Sequence, residues 1–498
     1  MVADQHEDRE RGEALPLLDT DAAGPAAIRG GSLRVGGYLA GAALSVVSAA
    51  VLFRALGVED SGRYVTVFAI VSLATAVTDA GLATIGLREL SAHAGDRRER
   101  FMRSLLGARL ALGLVGVLLA LAFTQLAGYG SMMVAAAALA GLAVLLQIVQ
   151  QTLTIPLVAD LRFVPVVSID LLRQAAATVL TLAVAVAGAG LVVFVGVTVP
   201  AMAIALVVTL VMVAGLAPIR PSAEIAEWRE LLRDTLPYAL ATAVAAIYFR
   251  CAVVIVSLVA SEQQTGYFGA SFRVVEVLMF VPQLAIGAAF PIFARSAGTD
   301  RKRLEYGVGR ALEASFLGGI GMATMLAIGA PTIIQVIAGD AFQPSESVLA
   351  IQGMALAAAF IGAPLAYALL SLHLHRAVLW ASLTGLIANV VLVTVLTRSF
   401  GAQGAAVATF LAELAMTVGF AVGIQRSGLR PTVSLSLIPR IVVAALIAAS
   451  PLLIPNLPNP VALALAILLF VGAALALRAV PPELLDEGRR VMLRGRTA

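Results

Sequence analysis

The stretch "EDSGRYVTVF" (59–68) returns later as "QQTGYFGASF" (263–272), with Gly62 aligned to Gly266 and Phe68 to Phe272 at an offset of 204. Further along, "AGDRRERF" (94–101) aligns with "AGTDRKRL" (297–304) at an offset of 203. In both places the first block leads into an apolar run and the second, a basic loop, leaves it. A match at corresponding positions of two apolar segments reads as an internal repeat.

The segments are apolar throughout. The 498 residues are 60% hydrophobic and only 13% charged, with a mean hydropathy of +0.96. Soluble domains carry about 25% charged residues. Spanning-length runs of about 20 residues recur from Val35 to Val480 with short polar breaks, which predicts an all-α polytopic membrane protein. A membrane barrel would show segments of about 10 residues with alternating polarity, and none is found.

Fourteen spans are expected, at 35–56, 62–86, 104–126, 131–155, 164–187, 190–214, 236–260, 265–292, 311–337, 346–371, 376–398, 402–424, 437–455 and 459–480. The narrowest division is the glycine turn "AGAGLV" (187–192). Six helices separate the two copies of the repeat. Six is even, so both halves share one orientation: a parallel repeat about an axis along the membrane normal. The expected organisation is a disordered cytoplasmic tail at 1–33, an N-lobe at 34–214 and a cytoplasmic linker at 215–235. A C-lobe at 236–424, two further helices at 425–480 and a basic cytoplasmic tail at 481–498 follow.

Arginine placement sets the orientation. With the N-terminus inside, all but five of the 34 Lys and Arg are assigned to inside ends. Arg54, Arg63 and Arg398 are assigned outside, and Arg250 and Arg273 within spans. This asymmetry puts both termini in the cytoplasm. The basic pI of about 9.5 is thereby a membrane-topology signal and not a nucleic-acid one.

Within "AIYFRCAVVIVSLVA" (246–260), Arg250 is the single charge in an otherwise apolar or small-polar run. Helix 7 runs outward and helix 8 inward, so Arg250 and Arg273 each lie roughly 12–15 Å below the same face at 1.5 Å per residue. Two permanent cations at one level read as an anion site facing a wet cavity. Glu276, one turn after Arg273, is placed to compensate one charge. The competing reading is a helix-locking Arg273–Glu276 pair, with Arg250 snorkelling or bonding backbone carbonyls. Arg34 and Asp79 are read as a cytoplasmic-side pair. Asn389 is read as an interhelical hydrogen bond and Glu413 as a protonatable coupling or packing residue near mid-membrane.

Other chemistry has no foothold. Lys302, the only lysine, follows Arg301 and not the glycine of a phosphate-binding loop, so no ATP hydrolysis and no cofactor are expected. His373 and His375 diverge as i, i+2 on a helix and make no metal site. The lone Cys251 permits no internal disulfide. Proton or sodium coupling is left open.

The stretches "RALGVEDSGRY" (54–64), "DAGLATIGLREL" (79–90), "TGYFGASFRV" (265–274), "IAGDAF" (337–342) and "GAQGAAVAT" (401–409) resemble, in order and spacing, one branch of a transporter superfamily. That superfamily is the multidrug/oligosaccharidyl-lipid/polysaccharide exporters, and the branch is polysaccharide transport, the O-antigen and exopolysaccharide repeat-unit flippases. The likeness covers about residues 32–480.

It implies two six-helix lobes around a central cavity. It implies that a lipid-pyrophosphate-linked oligosaccharide crosses from the inner to the outer leaflet of the cell membrane by alternating access. Arg250 and Arg273 match in type and depth the cavity cations thought to meet the anionic head in relatives. Implied partners are the lipid-linked substrate, membrane lipids and a polysaccharide polymerase with its export machinery, and the protein is no enzyme.

The multidrug antiporter branch and a lipid-linked peptidoglycan-precursor flippase are alternatives; the first usually has twelve helices and an acidic cation site in its first lobe, and helix 1 here has no acid. A major-facilitator carrier is disfavoured because "AHAGDRRERF" lacks that family's loop spacing. An integral-membrane polymerase or ligase is disfavoured by short external loops without histidine.

Overall fold

The computed structural model describes residues 23–79, 81–92, 95–215, 220–434 and 436–480. Residues 1–22 of the tail expected at 1–33, and the whole tail expected at 481–498, lie outside the described residues. The described regular elements are all helical. They are α1 (Ala23–Asp79), α2 (Leu82–Ala92), α3 (Gly95–Leu126), α4 (Ser131–Ala159), α5 (Phe163–Val186), α6 (Leu191–Gly196) and α7 (Thr198–Val213). Then come α8 (Ile225–Val259), α9 (Glu262–Leu278), α10 (Phe280–Thr299), α11 (Arg301–Ile337), α12 (Ser345–Ser371), α13 (His375–Arg426), α14 (Leu437–Ala449) and α15 (Asn459–Ala476).

Nine stretches among the described residues are long and apolar enough to cross a membrane, and Ala243–Val259 and Leu437–Leu453 are shorter apolar helices. Large apolar side chains such as Val186, Val211 and Leu468 point outward, 83%, 72% and 68% exposed. A soluble surface rarely tolerates such patches, whereas lipid does. The chain is a multi-pass membrane protein.

Several expected boundaries move. The expected breaks between spans 35–56 and 62–86 and between spans 376–398 and 402–424 fall at kinks, where α1 joins two helices at Gly57 (φ 71°) and α13 two at Gly401 (φ 57°), while residues 82–86 belong to α2. Left-handed φ inside a helix is cheap only for glycine. Each expected loop is thereby reduced to a kink at one glycine. At Gly401 the break frees a backbone donor, and Ala402 N–H donates to Gln264 Oε1 at 2.8 Å.

Helix α1 begins at Ala23, inside the expected tail, and residues 225–235 of the expected linker are the first turns of α8. The expected eighth span divides at Met279 into α9 and α10. The turn after α5 is present, with Gly188 at φ 67°.

Backbone packing separates two compact units: Met1–Leu52 with Ile70–Ala243, and Phe53–Ala69 with Val244–Ala498. The first has a core of Leu82, Leu90, Met102, Leu105, Leu153 and Ile155. In the second, Leu304, Val308, Leu312, Leu365, Leu369 and Phe420 form one core. A second cluster seats α14 and α15 on α11 through Ile441, Ala444, Ala474, Phe316 and Ile320. The two C-terminal helices thus attach to the second half of the repeat.

Within the second unit the repeat explains itself. A Cβ at Gly62 would strike the Glu262 carbonyl and stand 2.8 Å from Gly266 N, while a Cβ at Gly266 would strike the Val58 carbonyl. Residues 58 and 262, like 62 and 266, are 204 apart. Each copy therefore touches its own equivalent, as in an isologous two-fold contact. Val65 and Gly269, again 204 apart, meet at the same crossing, with 3.0 Å from Val65 Cγ2 to a Cβ at Gly269. Each copy also carries an aromatic pair one turn apart: Tyr64–Phe68 at 4.7 Å and Phe268–Phe272 at 6.0 Å.

Ion pairs frame the crossing. Arg63 binds Asp60 at 2.6 Å and also Glu262. Arg54 donates to the Gln335 and Val336 carbonyls at 2.9 Å each, a cation on the C-terminus of α11. Phe342, 1% exposed, packs on Phe53.

Candidate substrate site

Arg250 sits on α8 and Arg273 on α9, and the short connection after Val259 brings the two helices back antiparallel. Ser261 caps α9 by accepting from Gln264 N–H at 3.3 Å, which fixes where the helix starts and hence where Arg273 and Glu276 fall. The two arginines meet on one carboxylate. Arg250 Nη2 donates to Glu276 Oε1 at 2.5 Å, and Arg273 Nη1 to Glu276 Oε2 at 2.6 Å. The side chains of Arg250 and Arg273 are 26% and 42% exposed, and that of Glu276 19%. The group carries a formal net charge of +1. Phe249 lies under the Arg250 guanidinium, 5.2 Å from ring centroid to Cζ, and meets Phe272 in a tilted ring contact at 5.4 Å.

Arg250 has a carboxylate partner in place of the snorkelling or backbone bonds of the competing reading. It reaches the carboxylate expected to serve Arg273 alone. Spacing i, i+3 reveals only the pair within one helix; the pair between helices depends on how each is rotated.

Glu413 is not unpaired. It lies 6% exposed on α13 and accepts from the Tyr248 hydroxyl of α8. Asn389 makes the expected interhelical bond, donating from Nδ2 to the Tyr248 carbonyl at 3.3 Å. Tyr248, Asn389, Glu413 and Gln352 line one cavity within the second unit. Asn389 Oδ1 and Gln352 Oε1 have no partner there. Tyr248 and Arg250 are two residues apart, about 200° around the helix. The Glu413 cluster and the arginine pair therefore occupy opposite faces of α8.

The side chain of Arg34, expected to pair with Asp79, lies outside the described residues, and the described partner of Asp79 is a different arginine. That partner is Arg109 of α3, 2% exposed, whose Nε donates to Asp79 Oδ1 at 2.8 Å and whose Nη1 donates to Thr152 Oγ1 at 2.6 Å. Sequence reading assigned Arg109 to an inside helix end. Its place within "SLLGARLALGL" (104–114), an otherwise apolar run, was the available signal. The buried Glu313 of α11 was missed likewise; it pairs with Arg310 at 2.7 Å and accepts from Ser434 N–H at 2.8 Å. No group of metal-binding side chains is present among the described residues.

Repeated helical halves, apolar outward faces and charged pairs held inside the helices define a polytopic helical membrane protein. The chain belongs to the polysaccharide biosynthesis protein family, whose model matches residues 51–347.

Solved structures share the fold. Lipid II flippase MurJ, in an inward closed conformation, aligns with a TM-score of 0.75 at 13% identity, over 91% of this chain and 98% of MurJ. An inward-facing multidrug resistance MATE transporter aligns at 0.63 and 15% identity, over 78% and 96%. A MOP superfamily transporter from Pyrococcus furiosus aligns at 0.53 and 16%, over 80% and 95%. No curated protein matches the chain in sequence.

Proposed function

We propose that the protein is a flippase that carries a lipid-pyrophosphate-linked oligosaccharide from the inner to the outer leaflet of the cytoplasmic membrane by alternating access, with both termini in the cytoplasm. The observation that carries this reading is the arginine pair. Two guanidiniums from adjacent helices, with a formal excess of one positive charge, stand in a stretch where a lipid-facing arginine costs about 2.5–3.5 kcal/mol. Membership of a polysaccharide biosynthesis family supports a glycan cargo. Planar guanidiniums suit phosphate oxygens through parallel donors.

Energetics favour the outward direction. Each negative charge moved fully outward across a membrane with a negative interior gains about 2.3 kcal/mol per 100 mV. A polymerase with its export machinery is the natural acceptor of the flipped unit. Likeness to MurJ favours a second reading, a lipid-linked peptidoglycan precursor as cargo. The two share the anionic head and differ in the group it carries.

The deciding experiment reconstitutes the protein in vesicles and follows a pyrophosphate-linked oligosaccharide to the outer leaflet. Arg250→Ala is expected to leave the protein inserted and folded but to abolish transport, with Arg250→Lys retaining part of it. Full transport by the alanine variant would sink the proposal.

A further inference from the structure

We infer that Glu276 is an internal competitor for the substrate's anionic head: in the empty site it occupies the arginine donors, and its return to them sets how readily the head is released. This rests on the flippase reading above and adds a residue that governs turnover. The geometry is specific to such a role. A pair that merely locks α9 needs Arg273 and one oxygen, because the two residues are one helical turn apart. Here the carboxylate is divided, Oε1 to Arg250 of α8 and Oε2 to Arg273 of α9. Two oxygens held by two guanidiniums reproduce the acceptor pattern that a phosphate group presents. Glu276 thus stands in for the ligand while the site is empty.

Transport chemistry gives the arrangement its purpose. A carrier site must bind strongly enough to load and weakly enough to unload. Arg250 and Arg273 without a counter-ion would present a formal +2 charge and would hold a pyrophosphate against release. With Glu276 present, an arriving head displaces a carboxylate, and a departing head is replaced by it. The exchange needs only side-chain rotation between adjacent helices. Glu276 is partly open to its surroundings, as is Arg273, so a second anion has access to the donors.

The test uses the full chain in lipid nanodiscs, titrated with farnesyl pyrophosphate, alongside vesicle transport of the pyrophosphate-linked oligosaccharide. Glu276→Gln removes the competing charge while keeping the side chain's shape. It is expected to bind farnesyl pyrophosphate at least about tenfold tighter, the scale of one charge-assisted bond. Transport should show a lowered KM together with a kcat reduced several-fold. Unchanged or weaker binding by Glu276→Gln, while Arg250→Ala still abolishes binding, would overturn the inference and leave the flippase reading standing. Wild-type binding and transport by Arg250→Ala would overturn the flippase reading itself. A purely structural Glu276 would lower the melting temperature and weaken binding together, which also counts against the inference. Should the amide variant fail to accumulate, Glu276→Ala is read in the same way.

Discussion

Gly266→Ala places a methyl group against the Val58 carbonyl, where a Cβ would also lie 3.0 Å from both Val58 C and Val58 Cγ1. The nearest obstacle is backbone, so no flexible side chain can swing aside. Overpacking of this kind costs about 1–3 kcal/mol. Alanine also gains about 1 kcal/mol over glycine in any helix interior, whatever its neighbours. Gly41→Ala isolates that gain, because a Cβ there meets nothing within 4 Å. Propensity cancels between the two variants, leaving about 1–3 kcal/mol of crossing strain as their difference. At about 2 °C per kcal/mol, the lower end for a unit of roughly 250 residues, Gly266→Ala should melt about 2–6 °C below Gly41→Ala. The assay is thermal unfolding in detergent, with vesicle transport measured in parallel. Equal melting of the two variants would refute the argument that the repeated helices touch backbone to backbone at these glycines.

Two further outcomes follow from the buried charges. Asp79→Ala strands the 3%-exposed Arg109 side chain and should cost about 3–5 kcal/mol, seen as a collapse in the yield of folded protein, whereas Asp79→Asn keeps an acceptor and should be milder. Glu413→Ala leaves the Tyr248 hydroxyl without its acceptor and should cost about 1–3 kcal/mol in detergent melting; adding Tyr248→Phe should recover part of that loss, and no recovery would show that the pair does not matter to stability.

The repeat was legible because backbone-to-backbone packing demands a small residue at both equivalent sites, and so Gly62 and Gly266 stand out at a fixed offset. Four of the five stretches that carried the family resemblance supply parts of the same neighbourhood: Arg54 and Gly62, Gly266, Ile337–Phe342, and Gly401 with Ala402. Helix existence followed from apolar length alone. The breaks at Gly57 and Gly401 were legible as polar, glycine-bearing interruptions between apolar runs, but not that each would shrink to a kink at one residue. Partners between helices were illegible for a different reason. Glu276 to Arg250, Asp79 to Arg109 and Glu413 to Tyr248 all depend on helix rotation and crossing, which hydropathy does not encode.

The first turns of α9 join four contacts in six residues. Ser261 caps the helix, Glu262 holds Arg63, Gln264 holds the backbone where α13 bends, and Gly266 rests on Val58. These contacts differ in kind: a cap, an ion pair, an amide-to-backbone bond and a bare van der Waals fit. They nevertheless share one rigid carrier, so a displacement of that turn large enough to break one strains the others at the same moment. Such a joint has little room to yield by degrees. Any rearrangement of this end of the second unit would be all-or-none, with few populated intermediates between engaged and released.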